Sequence, residues 1–438
     1  MKLISILVCS FTAFVAAAPA LAQSSGEISL VDVYQSALEK NYGLQSQQYS
    51  YQAEKEGVRQ AWAGVLPQVE ASASYGVSDY TRDFDLQSSI SDQDEHTRYD
   101  LSLIQVVYSR KAFKEIERAK AGEKLAAEEL AGRELEIGYS VIEAFLRAQM
   151  LHEQIAIVED ERTSHERRLD QLENMLSRGF ATRADTLDAQ ARIDEVSAEL
   201  AGLRHNYRAA IKNLEAVAGI RVGEQGLHPV SGEIWRNTPS LLEKNWEQLA
   251  AENSALIRQA KGELDLAEAT RKAESGAHWP ELYLNARYTD NDTFATDLRQ
   301  ESRVELQLKL PIYKGGSTSS RVRQATQSMY AAEYAVKDSD NMVSVEISRI
   351  TEELRGSYAQ IQALITAEKS ARAALEAAEK GFVGGVRSLN DLLDSRTRLS
   401  DIRRNLVNEV HQNHMLQFEL RQVAGTLTIN EVRNATAS

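Results

Sequence analysis

A chain of 438 residues is long enough for two or three domains. It carries 64 acidic against 50 basic residues, and its net charge of −14 gives it no general electrostatic reason to bind nucleic acid. The one cysteine, Cys9, lies close to the amino terminus, so no disulfide, thiolate metal site or thiol nucleophile is available later in the chain.

Residues 1–22 have the pattern of a secretory signal peptide. Lys2 supplies the positive charge, an apolar run follows, and Ala20-Leu-Ala22 is a small-residue cleavage pattern. The alternative is an uncleaved anchor helix, which three hydroxyl side chains within the run disfavour. No later run reaches the ~18 apolar residues of a membrane helix. We therefore expect an exported chain that would meet a membrane with strands or as a surface partner.

The exported chain contains the same arrangement twice. Gly179-Phe-Ala-Thr-Arg-Ala-Asp-Thr-Leu-Asp188 matches Gly385-Val-Arg-Ser-Leu-Asn-Asp-Leu-Leu-Asp394 at the glycine, the Thr or Ser and both aspartates. Glycines and prolines between the copies predict a connector with little regular structure. The predicted divisions after the signal peptide are a first repeat at 23–219, a connector at 220–240, a second repeat at 241–425 and a tail at 426–438.

Each repeat begins with a helical pattern that ends at a proline. Apolar residues recur at spacings of three and four from Leu30 to about Gly64, and again from Leu242 onward. Pro67 and Pro280 remove a backbone donor and disfavour helix at the residue before them. Both helices should therefore stop there.

After each proline the hydrophobic period changes from 3.6 to 2, which predicts strands. A charged loop, at about 78–96 in the first copy and 289–301 in the second, divides each alternating region into two. We predict one hairpin per repeat, with two strands of about ten residues each and with one apolar and one polar face. The alternating runs are Val69–Val77, Tyr99–Leu103, Leu282–Tyr288 and Val304–Leu310.

Beyond Tyr108 and Tyr313 the helical period resumes and continues for about 70 residues, or roughly 105 Å at 1.5 Å per residue. After each glycine motif a shorter helix follows with a coiled-coil seam. The seam is regular in the first copy, from Ile193 to Val217. In the second copy Asn413 and His414 interrupt it. The expected fold is mainly α with a small β part.

The four strands have about the ~9–11 residues needed to cross a hydrocarbon core. Four strands cannot close a barrel, since the smallest have about eight. An open edge in lipid would leave backbone groups unpaired, so several chains would have to pool their strands. The alternative is an exported coiled-coil interaction protein without a pore, in which soluble hairpins cap the helices.

Four features together point to a known family: the two repeats, the helix-to-strand prolines, the strand segments 101–108 and 306–313, and the motif from Gly385 to Asp394. In these the sequence resembles the TolC family of outer-membrane efflux proteins, over nearly the whole exported chain. The resemblance implies a homotrimer in the outer membrane of a Gram-negative cell, with a twelve-stranded β-barrel continuous with a periplasmic barrel of helices.

The same resemblance implies a passive exit duct that docks to a periplasmic adaptor (membrane fusion) protein and an inner-membrane transporter. Drug efflux and type I protein secretion both stay open, because substrate choice usually resides in the transporter.

Thr182 and Ser388 are predicted helix N-caps, because each stands three residues before an aspartate, Asp185 or Asp391, in a capping-box spacing. Asp394 also lies near the positive end of its helix. Capping alone is one interpretation of these residues, and a role at the channel entrance is the other.

The resemblance implies that entrance role. Asp391 and Asp394 share a helix face, and in a trimer each becomes a ring of three carboxylates that draws cations. Arg387 matches the arginine that helps hold the entrance closed in the family, and Asp185 is its predicted partner. Phe382 stands where the family often has a tyrosine, and its ring cannot donate a hydroxyl hydrogen bond. Closure is therefore expected to depend more on Arg387.

No residue pattern supports catalysis. Only His411 and His414 are close together among the scattered histidines. We interpret them as an interruption of the coiled coil, with a metal pair as the alternative. The aspartate pairs lack a pocket-forming context for acid–base chemistry. We predict a protein that is not an enzyme and that needs no metal or cofactor.

Overall fold

The computed structural model describes residues 27–84, 88–222, 226–231, 233–292 and 300–436. The predicted signal peptide lies outside these residues. The described chain is mainly helical with one small antiparallel sheet, so the predicted fold class is confirmed. None of the helices described is both long enough and apolar enough to cross a membrane. The helices are α1 (Leu30–Lys40), α2 (Tyr42–Ala63), α3 (Arg110–Ser177), α4 (Arg183–Ala218), α5 (Thr238–Leu242), α6 (Trp246–Asn253), α7 (Ala255–Gly276), α8 (Ser317–Val383), α9 (Leu389–Val423) and α10 (Ile429–Thr436); the strands are β1 (Gln68–Phe84), β2 (Ser88–Ser109), β3 (Glu281–Asp292) and β4 (Gln300–Lys309).

Each repeat opens with a broken helix, where the periodicity predicted a continuous one. α1 and α2 meet at Asn41, whose backbone is extended and whose Oδ1 accepts the amide N–H of Leu44 at 3.1 Å. α6 and α7 meet at Ser254, also with an extended ψ, of 129°. A single extended residue starts a new helix without disturbing the spacing of apolar residues, so the pattern did not reveal it. α2 and α7 stop before Pro67 and Pro280, as predicted.

The strands form one antiparallel sheet in the order β1-β2-β3-β4. Its register brings the apolar residues of all four strands onto one face. Ala71 lies opposite Leu101, which lies opposite Tyr288, and Ala286 lies opposite Val304. Directly paired residues point to the same side, so the polar residues share the other face. Among the described residues, β1 and β4 each have one edge without a strand partner.

The predicted lengths of the first hairpin are wrong. β1 and β2 stay paired through the predicted loop 78–96, as far as Phe84 opposite Ser88. The loop predicted at 289–301 is also shorter, because β3 continues to Asp292. Apolar alternation reports which face avoids water, whereas an antiparallel ladder requires only backbone donors and acceptors. The ladder therefore continues where the side chains become polar.

The long helices carry the chain away from the sheet. α3 has 68 residues and α8 has 67, so each is about 100 Å long. α3 packs against α2 and α7 near the sheet and against α4 and α9 farther away, while α8 packs against α7 and α9. The two joints with the sheet differ. Ser109 caps α3 by accepting the N–H of Ala112, whereas Gly315 and Gly316 precede α8 with φ angles of 59° and 78°.

The middle of the molecule has its own apolar core. Leu30 of α1, Phe145 of α3 and Phe418 of α9 are almost fully buried there, together with Val432 of α10. The connector was predicted to have little regular structure, but it contains a 3₁₀ turn at Ile234–Asn237 and runs into α5. The tail is likewise largely helical. Its apolar residues pack on α1, which stabilises a helix too short to form alone.

Candidate functional site

The two glycine motifs lie side by side where the helices end farthest from the sheet. α3 and α8 both start at the sheet and end at these turns. Leu172 of α3 and Ala189 of α4 share an apolar cluster with Leu389 and Leu393 of α9. We call this end of the molecule, residues 168–192 and 379–396, the tip. The cluster holds the two turns together within one chain.

Both turns carry complete capping boxes. Thr182 Oγ1 accepts the N–H of Asp185 at 3.2 Å, and the Asp185 carboxylate accepts the N–H of Thr182 at 2.8 Å. Ser388 and Asp391 make the same two bonds, both at 3.1 Å. Each box satisfies donors that a helix start would otherwise leave unpaired.

These bonds also set the charge at the tip. Hydrogen bonds from Thr182 hold the pKa of Asp185 below its usual range. Hydrogen bonds from Ser388 and, more weakly, the nearby Arg387 guanidinium lower the pKa of Asp391. A hydrogen-bonded carboxylate favours its ionised form. Asp185 and Asp391 are therefore anionic at neutral pH.

Asp394 has a partner that sequence reasoning missed. Arg192 Nη2 of α4 lies 3.4 Å from Asp394 Oδ1 of α9, and the Asp394 side chain is 68% exposed. Arg192 also pairs with Glu195 on its own helix, at 2.8 Å. Asp391 and Asp394 thus face solvent, with one arginine from the first repeat beside the second aspartate.

The predicted partners Arg387 and Asp185 do not meet within one chain. The Asp185 carboxylate is occupied by its own cap, and Arg387 is exposed and makes no ion pair with any described residue of this chain. The contact implied by the family is with a neighbouring coiled coil, so the gate role of Arg387 stays a proposal.

Phe382 is packed into the tip. Its ring is partly buried on the cluster of Leu172 and Leu389, and the Arg168 guanidinium carbon lies 5.0 Å from its centroid. That distance is within the range of a cation–π contact. Phe382 therefore links α8 to α3 with its ring face, in place of a hydroxyl hydrogen bond. Arg168 and Phe382 are 214 positions apart, and no local pattern connects them.

The two histidines of the interrupted seam are buried in a polar cluster. His411 Nε2 lies 3.2 Å from Glu153 Oε1, and His414 is 1% exposed, with no hydrogen-bond partner for either ring nitrogen. Burial, helped by His411, lowers the pKa of His414 to about 3. Across the part of the chain that the structure describes, no group of three or more His, Cys, Asp or Glu side chains is arranged to hold a metal ion.

The polar face of the sheet is the second charged region. It contains a groove of about 460 Å³. Glu301 accepts a hydrogen bond from Arg303 at 2.6 Å, and Asp100 accepts one from the Thr289 hydroxyl at 2.6 Å. The charged residues that line the groove are Arg98, Asp100, Arg287, Glu301, Arg303 and Glu305.

A sheet with one apolar face, whose outer edges have no strand partner among the described residues, continues into helices about 100 Å long. This arrangement matches the class of outer-membrane channels that extend into a helical barrel. The chain belongs to the outer membrane efflux protein family, whose model matches residues 33–220 and 246–426, one match in each repeat. It is therefore an outer-membrane efflux channel and not an enzyme.

Individual relatives agree with this assignment. The chain is similar to the outer membrane protein TolC of Vibrio cholerae, with 25% identity over 423 residues and 93% of each chain covered. It is also similar to the alkaline protease secretion protein AprF of Pseudomonas aeruginosa, with 25% identity over 429 residues, 93% of this chain and 86% of that one. The solved structure of VceC from Vibrio cholerae matches with a TM-score of 0.77 and 18% identity, over 90% of this chain and 96% of that chain, and shows the likeness of fold.

Proposed function

We propose that three copies of this chain form the exit duct of a tripartite export machine, with a twelve-stranded barrel in the outer membrane and a helical tunnel in the periplasm. The observation that carries the proposal is the sheet. Its apolar residues share one face and remain exposed in the single chain, for example Val304 at 73% and Leu306 at 64%. Lipid would cover that face, and pairing β4 of one chain with β1 of the next would satisfy both free edges.

The tip would be the periplasmic entrance in this assembly. Asp391 and Asp394 would each form a ring of three carboxylates around the threefold axis, which favours cations at the constriction. Arg387 is exposed beside them and would reach the neighbouring chain. A periplasmic adaptor protein and an inner-membrane transporter would complete the machine. The second repeat would be its moving gate, since the first repeat has Ala181 where the second has Arg387.

Membrane fractionation tests the assembly. We expect a trimer in the outer-membrane fraction that runs as a trimer on gels until it is heated. Purified trimers should then form conducting channels in planar bilayers. A soluble periplasmic protein without channel activity would instead support the alternative of a coiled-coil interaction protein.

The substrate class is tested in a deletion strain. The name of the relative AprF supports a polypeptide substrate, since it describes secretion of an alkaline protease. Loss of a protein from the culture medium, with unchanged drug susceptibility, would assign the duct to type I secretion. Increased drug susceptibility with normal secretion would assign it to efflux. A gene for an ATP-binding exporter beside this one would favour secretion, and a proton-driven pump would favour efflux.

A further inference from the structure

Two arginines face each other across the second hairpin. Arg287 of β3 is paired directly with Arg303 of β4. Directly paired residues point to the same side of a sheet, and both arginines line the groove on the polar face. The Cβ atoms of directly opposed residues lie about 4.5–5.5 Å apart, and like charges in that arrangement repel. Arginine does not lose its proton in proteins, so the repulsion persists at every working pH.

A hairpin of this kind forms without two opposed arginines, as the first repeat shows. In the first repeat the matching positions are Ser74, counted from the helix-to-strand proline, and Arg98, counted from the tyrosine that precedes the long helix (Tyr108 in the first repeat, Tyr313 in the second). They also lie directly opposite each other. One arginine is thus common to both hairpins, and Arg287 is the additional cation of the second.

Carboxylates in the groove do not neutralise Arg287. Glu301 is bonded to Arg303 at 2.6 Å, and Asp100 accepts the hydroxyl of Thr289. Arg287 makes no hydrogen bond or ion pair with any residue that the structure describes, and its side chain is exposed. Glu305 lies on the same face, opposite Asn285, and makes no ion pair with Arg287. The guanidinium of Arg287 is therefore available to an external anion.

We propose that Arg287 and Arg303 form an anion-binding site in the lumen of the barrel, which holds carboxylate or phosphate groups of passing molecules. The inference rests on the proposed function, in which the polar face lines the lumen. Two planar guanidinium groups side by side offer several N–H donors to one oxyanion, and bidentate arginine contacts with oxyanions are strong and directional. Each trimer would carry three such sites, at the opposite end of the duct from the acidic tip.

Block of single-channel current by inorganic pyrophosphate tests this site. Pyrophosphate is added on the side of the hairpins to wild-type trimers in planar bilayers. We expect it to block the wild type, and the double variant Arg287→Gln, Arg303→Gln to require about tenfold more pyrophosphate for the same block. Arg287→Lys with Arg303→Lys keeps the charge but loses the bidentate geometry, so its affinity should fall between the two.

Two single variants serve as controls. Lys309→Gln removes one positive charge from the same face of β4, outside the groove, and should leave the block unchanged. Glu305→Gln removes the neighbouring carboxylate and should strengthen the block. Equal block of the wild type and the double glutamine variant overturns the inference. A weakening by Lys309→Gln as large as that of the double variant also overturns it, because the block would then depend only on the positive charge of this face and not on a specific site.

This experiment separates the two proposals. Wild-type trimers that form no channel contradict the proposed function and the inference together. Channels that conduct normally, with a pyrophosphate block that does not depend on the two arginines, leave the proposed function in place and remove only the anion site.

Discussion

The two repeats share one plan and differ in what they bury. In the first repeat α4 packs on α3 through a regular seam that includes Val196 and Leu200. In the second repeat α9 lies between α3 and α8 and also contacts the connector. His411 is buried there, whereas the matching His205 of the first repeat is exposed.

Position in the bundle explains this difference. A helix that packs mainly on one neighbour, as α4 does on α3, needs one apolar stripe, whereas a helix packed on several sides must bury polar positions too. Thr238 of the connector donates to Asn413, and Gln417 donates to the same Asn413 oxygen at 2.9 Å. The second repeat therefore contains the buried polar cluster, the additional arginine on the polar face of the sheet, Arg287, and the exposed arginine of the tip, Arg387.

The largest effect should come from His414. Its pKa is about 3 in the folded protein and about 6.5 when exposed. Between these values the unfolded chain binds the proton and the folded chain does not, so this contribution to stability is present above about pH 6.5 and is lost as the pH falls. His414→Leu should remove an acid sensitivity on the order of a few kcal/mol. Thermal unfolding followed by far-UV circular dichroism at neutral and acid pH measures it.

The exposed His205 supplies the control for that measurement. His205→Leu removes an exposed imidazole of the first repeat and should change the unfolding temperature little. If His414→Leu and the wild type lose stability equally on acidification, the burial of His414 is not the cause of the acid sensitivity.

Removing Arg387 from the tip turn of the second repeat should open the proposed entrance. We expect Arg387→Ala to raise single-channel conductance severalfold, because the proposed contact of Arg387 with the neighbouring chain would be lost. Arg183→Ala, in the matching turn of the first repeat, should have little effect. Unchanged conductance in Arg387→Ala would remove the gate role, and an equal increase in both variants would abolish the difference between the repeats.

The two repeats should respond alike to the loss of their helix N-caps. Thr182→Ala and Ser388→Ala each remove a side-chain cap, which costs about 1 kcal/mol of local helix stability. Faster hydrogen exchange in the first turns of α4 and α9 would report the loss. Thr182→Ser and Ser388→Thr, which keep the hydroxyl, should exchange at wild-type rates. A response of one turn alone would contradict equal capping.

The smallest effect concerns the link between the repeats. The Arg168–Phe382 contact should contribute roughly 0.5–1 kcal/mol. A double-mutant cycle with Arg168→Gln and Phe382→Leu, read by hydrogen exchange in the last turn of α8, should show a coupling of this size. Arg396→Gln, which breaks the nearby pair with Glu379, is the control for a general loss of charge. Additive effects of Arg168→Gln and Phe382→Leu would exclude a direct link.

Several features of the fold were predictable because their causes are local. Pro67 and Pro280 end helices through their own backbone chemistry, and Thr182 and Ser388 start them through bonds that span three residues. Alternation indicated which strand residues share a face. Local patterns failed where backbone pairing or capping acted independently of hydrophobicity, as in the longer first hairpin and at Asn41.

The sequence by itself determined the duplicated order of helix, hairpin, long helix and short helix, because periodicity, prolines and caps act within a few residues. Only the tertiary structure decided which distant residues meet. Arg192 reaches Asp394 and Arg168 covers Phe382 because the two helical hairpins pack side by side. Burial of His414 likewise depends on how many neighbours surround α9. These contacts join residues far apart in the chain, so no short-range pattern encodes them.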